Sequence, residues 1–67
     1  KNRLGDLQGA IADYTKAIEI NPQFADAFNN RGVARELVND IEGACRDWRK
    51  AVDLGNNLPA EWVKNQC

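Results

Sequence analysis

Gly5–Phe24 reads GDLQGAIADYTKAIEINPQF, and 34 positions on, at Asn39–Leu58, the chain reads NDIEGACRDWRKAVDLGNNL. Asp6/Asp40, Gly9/Gly43, Ala10/Ala44, Asp13/Asp47, Lys16/Lys50 and Ala17/Ala51 are identical at this shift. Most other pairs keep their chemistry: Leu7/Ile41, Ile11/Cys45, Tyr14/Trp48, Ile18/Val52 and Phe24/Leu58. Phe28 lands on Trp62, so the period governs nearly the whole chain. A period in this range marks stacked helical units that bury their apolar faces against one another.

Apolar residues in each copy fall at helical spacing. Ala10, Ile11, Tyr14, Ala17 and Ile18 form one stripe, and Ala44, Cys45, Trp48, Ala51 and Val52 form its counterpart. Between them, Ala27, Phe28, Val33, Ala34, Leu37 and Val38 predict a further helix, with Gly32 where a neighbouring helix can come close. Gly5-Asp6 and Asn39-Asp40 read as a helix stop followed by a helix cap, since Gly and Asn tolerate a left-handed backbone and Asp accepts from free N–H groups. The short Asn39-Asp40 link predicts an antiparallel helical hairpin. Pro22 ends one helix, and Gly55-Asn56-Asn57 ends the next. Pro59 suits the start of a last helix to about Gln66, whose anchor in the core is Trp62.

Phe28-x-x-Arg31-Gly32, then Ala44-x-x-x-Trp48-x-x-Ala51, with Ala10-x-x-x-Tyr14-x-x-Ala17 and Pro22 before them, resemble the tetratricopeptide repeat (TPR). The resemblance implies an all-α fold of antiparallel helical hairpins, an α-solenoid, across one domain of residues 1–67. Residues 1–4 read as the end of a truncated helix, 5–24 as the second helix of a first repeat, 25–58 as a complete repeat and 59–67 as a capping helix. Read this way, the chain is part of a longer protein. Three departures stand out. Arg31 and Arg35 occupy positions the family usually fills with Leu and Tyr, and Asn56 replaces the second proline. Asp13, on the preceding helix, is the expected partner of Arg31.

In TPR proteins the first helices of successive repeats line a concave groove that takes a peptide or partner helix. Carried onto this chain, the resemblance implies a groove of Asp26, Asn29, Asn30, Val33, Glu36 and Leu37, with Ala60, Val63 and Lys64 from the last helix. The spacing of Asp26, Asn29, Asn30, Val33 and Leu37 independently gives one helix stripe, apart from the Phe28 and Gly32 packing face. Amides such as Asn29 and Asn30 both donate and accept, as pairing with a peptide backbone requires. Some family members clamp a chaperone's terminal carboxylate. Asn30 and Lys64 match two clamp positions, but Ala60 replaces a clamp lysine.

Composition narrows the remaining classes. Nine Lys and Arg against ten Asp and Glu give a net charge of −1, which supplies no general attraction for nucleic acid. An RNA-reading helical-repeat array of the pentatricopeptide kind is accordingly disfavoured. Histidine is absent, and neither Thr15 nor either cysteine has an evident base, so the expectation is a non-enzyme with no cofactor. Two cysteines are too few soft ligands for zinc. They also make no disulfide framework: Cys45, standing where the first copy has Ile11, reads as a small buried hydrophobe, and Cys67 as exposed. That cysteine usage is compatible with a reducing compartment, the location itself being unspecified. No apolar run suggests membrane insertion. The expected role is a protein-binding or scaffold module, the alternative being self-association through the apolar face of the Leu7–Ile20 helix.

Overall fold

A computed structural model describes residues 4–67. Four helices follow in order: α1 (Leu4–Ile20), α2 (Ala25–Leu37), α3 (Ile41–Asp53) and α4 (Ala60–Gln66). No strand occurs among the described residues. α1 packs on α2, α2 on α3, and α4 on α3. The residues read as a truncated helix fall mostly at positions 1–3, outside the described residues.

Gly5-Asp6 does not break the chain. α1 runs straight through both residues, and Gly55 is the only described glycine with a positive φ. Asp6 lies in the first turn, where a carboxylate meets the positive end of the helix dipole, so it favours the helix from inside rather than by capping.

The second copy of the turn behaves as expected. Asn39 takes φ 70°, its N–H donating to Glu36 O (2.9 Å) and that of Asp40 to Arg35 O (2.7 Å). This is a Schellman-type stop with asparagine in the glycine place. Asp40 Oδ1 then accepts from Gly43 N at 3.0 Å and caps α3. Gly55 (φ 106°) closes α3 the same way, with Asn56 N donating to Ala51 O at 2.9 Å. At the equivalent point after α1, Pro22 forbids continuation, and Asn21 Oδ1 holds the turn by accepting from Gln23 N at 3.2 Å. Asn56, standing where a proline was expected, accepts from Leu58 N through Oδ1 and donates to Asp26 through Nδ2.

The core lies between α2 and α3: Ala27, Phe28, Ala34, Ala44, Cys45, Trp48 and Ala51 are all buried. Trp48, 1% exposed, is its largest member. Its indole lies over Gly32, where an added Cβ would fall well inside contact with the ring. The small residue is required by a side chain of the facing helix. Gly32→Ala is therefore expected to lower stability by about 1–3 kcal/mol through overpacking, and chemical denaturation followed by circular dichroism measures it.

α4 returns along α3. Trp62 meets Trp48 with ring centroids 5.1 Å apart and planes tilted by 52°, as its reading as an anchor requires, though it stays 37% exposed. Pro59 is buried just ahead of Ala60. This course brings the far end of α4 beside α3, and Cys45 is bonded to Cys67 as a disulfide with Cα atoms 5.9 Å apart. Cys45, read as a small buried hydrophobe, is indeed buried, but it is also bridged, which that reading did not include. The argument for a reducing compartment loses its basis, because disulfides persist in oxidising surroundings.

Candidate protein-binding surface

The residues expected to form one groove are distributed over three places. Asn30, Val33 and Leu37 of α2 face Leu7, Ala10 and Tyr14 of α1 across a cleft of about 190 Å³. Its walls are mainly aliphatic and aromatic, and Leu37 is 55% exposed at its edge. Asp26 stands at the start of α2, its Oδ1 accepting from Asn56 Nδ2 at 2.9 Å. It borders a separate depression shared with Leu54, Gly55 and Leu58. Val63 lies between α3 and α4 with Arg49, Val52 and Ala60. Glu36 is half-buried, and Lys64 is exposed.

Asn29 departs from the expectation of an accessible amide. It is 8% exposed, and its Oδ1 is buried without a hydrogen-bond partner.

A cluster of ion pairs and hydrogen bonds joins α1, α2 and α3. Arg31 forms a two-pronged pair with Asp47 of α3, Nε to Oδ2 and Nη2 to Oδ1, both at 2.8 Å. Its Nη1 donates to Thr15 Oγ1 of α1 at 3.1 Å, and Thr15 in turn donates to Ile11 O at 2.7 Å. Arg35 Nη1 reaches Asp47 Oδ2 at 3.1 Å. One arginine thus ties three helices, with its guanidinium also 5.5 Å from the Phe28 ring centre. The hydrogen bonds that Arg31 donates to Asp47 raise its pKa above the ordinary value, burial works against this, and the charge of Asp47 adds to the rise.

One expectation is corrected here. Asp13 is exposed on α1 and is not the partner of Arg31. Its repeat counterpart Asp47 takes that place, 3% exposed and carrying both arginines. The signal was present: if Gly32 faces Trp48, their sequence neighbours Arg31 and Asp47 are brought together as well.

Among the described residues no group of three or more His, Cys, Asp or Glu is placed to hold a metal ion. None of their helices is long and apolar enough to cross a membrane.

The comparisons with known proteins point to one family. Residues 2–37 match the family described as TPR repeat. Tetratricopeptide repeat protein 36 of Danio rerio is 40% identical over 52 residues, covering 78% of this chain and 28% of that protein. The Mus musculus protein of the same name is 44% identical over 50 residues, 75% of this chain and 27% of its own length. RNA polymerase II-associated protein 3 of Xenopus tropicalis is 37% identical over 60 residues, 88% of this chain and 9% of that protein. The chain therefore spans about a quarter of the length of the first two relatives. No solved structure gives a significant match. All-helical and matched by the family over more than half of its length, the chain belongs to the tetratricopeptide-repeat family.

Proposed function

We propose that this chain is a protein–protein interaction module that docks an apolar segment of a partner, as a peptide or a helix, in the cleft between α1 and α2. Residues 25–58 act in this reading as the complete repeat and α4 as its cap. The observation that carries it is the apolar cleft walled by Leu7, Ala10 and Tyr14 on one side and Val33 and Leu37 on the other. Asn30 sits at the same cleft and is exposed, so its amide is available to the partner's backbone. Apolar walls supply affinity and a few polar groups set orientation, the usual division in helix-in-groove recognition. Asn29 contributes from behind, as part of the packing. Val63 and Lys64 belong to a secondary surface on α4.

The test is affinity capture with the parent chain and a Val33→Glu, Leu37→Glu variant of unchanged helicity by circular dichroism. Both positions are at least partly exposed, so the variant is expected to fold. A captured protein that binds the parent and loses affinity at least tenfold for the variant supports the cleft. Equal binding to both removes it.

A second reading has its own support. The α1 wall of the cleft, Leu7, Ala10 and Tyr14, is only half-buried, a face that a second copy of the chain is able to cover. Molar mass by light scattering across a wide concentration range separates the two. A dimer that dissociates on dilution and is lost in the same variant favours self-association, whereas a monomer throughout leaves the cleft to a foreign partner.

A further inference from the structure

We propose that the Cys45–Cys67 disulfide is a redox-active latch, opened by a dithiol reductant to release α4 from α3. The inference stands apart from the partner-binding reading and rests on what holds α4 in place. α4 comprises Ala60–Gln66. Among the other described helices it packs only on α3. Three features fasten it: the disulfide, the Trp62 ring on Trp48, and Val63 beside Val52. Of the three, the disulfide alone is covalent.

The bond is also reachable. A recess of about 450 Å³ opens beside it, bordered by Ile41, Glu42, Arg46, Arg49 and Gln66. Both cysteines border this recess, and Cys67 is the more exposed residue of the two, so its sulfur is the proposed point of attack. Arg46 and Arg49 stand at this recess, and cationic neighbours favour a thiolate on the departing sulfur. Glu42 stands at the same recess and opposes them.

The reaction is thiol–disulfide exchange. One thiolate of the reductant bonds to Cys67 Sγ as the Cys45–Cys67 bond breaks, and Cys45 leaves as a thiolate that takes a proton. The second thiol of the reductant then attacks its own sulfur in the mixed disulfide and displaces the Cys67 thiolate, which is protonated in turn. The protein gains two thiols, and the dithiol becomes a disulfide. Without the covalent closure of a segment whose ends are 22 residues apart, α4 opens about a hundredfold more often. The edge of Trp48 and the Arg49–Val52 face of α3 are then uncovered, and Val63 and Lys64 are displaced.

The experiment uses the full chain, air-oxidised and after excess dithiothreitol, with iodoacetamide labelling read by mass spectrometry and amide exchange read residue by residue. The oxidised chain is expected to take no label. After reduction both cysteines label, exchange in residues 60–66 accelerates about a hundredfold, and α2 and α3 keep their protection. Cys67→Ser is expected to exchange like the reduced chain with or without dithiothreitol. The proposal is overturned if the air-oxidised chain labels at both cysteines, or if α4 exchanges alike in both states. It is equally overturned if reduction strips protection from α2 and α3 together with α4, which would make the bond a plain structural staple.

Discussion

Replacing Asp47 with alanine is expected to destabilise the fold by about 3–5 kcal/mol, the range for removing one partner of a buried ion pair. A chain of this size holds only a few kcal/mol of net stability, so the variant is expected to be largely unfolded at room temperature. The reason is what the substitution leaves behind. Arg31 and Arg35 direct their guanidiniums at a carboxylate whose side chain is 4% exposed, while their own side chains are 13% and 24% exposed. Without Asp47, Arg31 is left beside the core with the neutral Thr15 Oγ1 as acceptor, while Arg35 keeps the Asp40 carboxylate at 3.9 Å. The magnitude measures the harm of an orphaned charge, since an intact buried pair by itself contributes far less than its rupture costs. Asp13→Ala, at the exposed equivalent position of the first copy, is expected to stay within about 0.5 kcal/mol of the parent. Urea denaturation of the two variants side by side checks both values. If Asp13→Ala proves the more damaging, the assignment of Arg31 to Asp47 is wrong.

Trp48→Ala is expected to be of similar severity, about 3–5 kcal/mol, through lost burial and the cavity left behind. Trp48 touches both neighbours of α3: its ring fills the hollow over Gly32 on α2 and packs at a tilt against Trp62 of α4. Its removal weakens the hairpin and the cap at once. Trp48→Phe is expected to lose less than half as much, since the buried Nε1 has no hydrogen-bond partner to forfeit. Thermal unfolding by circular dichroism gives the comparison. Because Gly32→Ala and Trp48→Phe act at one contact, their combined effect is expected to be smaller than the two single effects added, the smaller ring making room for the new methyl.

The repeat made most of the architecture legible. Tyr14 and Trp48 recur at a fixed shift, and so do the small residues around them, because each helix must present the same face to its neighbours. Asn39-Asp40 and Gly55 announce helix ends through backbone chemistry that a single residue determines. Gly5 did not, since glycine permits a left-handed turn without requiring one, and Asp6 serves the first turn of a helix as well as it serves a cap.

The harder questions were those of pairing between helices. Arg31 is 16 residues from both Thr15 and Asp47, and which carboxylate it reaches depends on how α2 lies over α3. That packing is set by Gly32 beneath Trp48, and the ion pair follows from it. Asn29 shows the same limit: the helix stripe placed it among accessible residues, yet it is nearly closed from solvent. The disulfide escaped for a related reason. Cys45 and Cys67 meet only because Trp62 settles on Trp48 and turns α4 back along α3.

The central claim is that partners dock between α1 and α2. Its most direct test is a two-dimensional amide NMR titration of the isotopically labelled chain with the protein recovered by affinity capture. The account predicts that the largest shifts cluster at Leu7, Ala10, Tyr14, Asn30, Val33 and Leu37, while the solvent side of α3 around Arg46 and Lys50 stays unchanged. Shifts concentrated on α3 and α4, with the α1–α2 cleft silent, would contradict it.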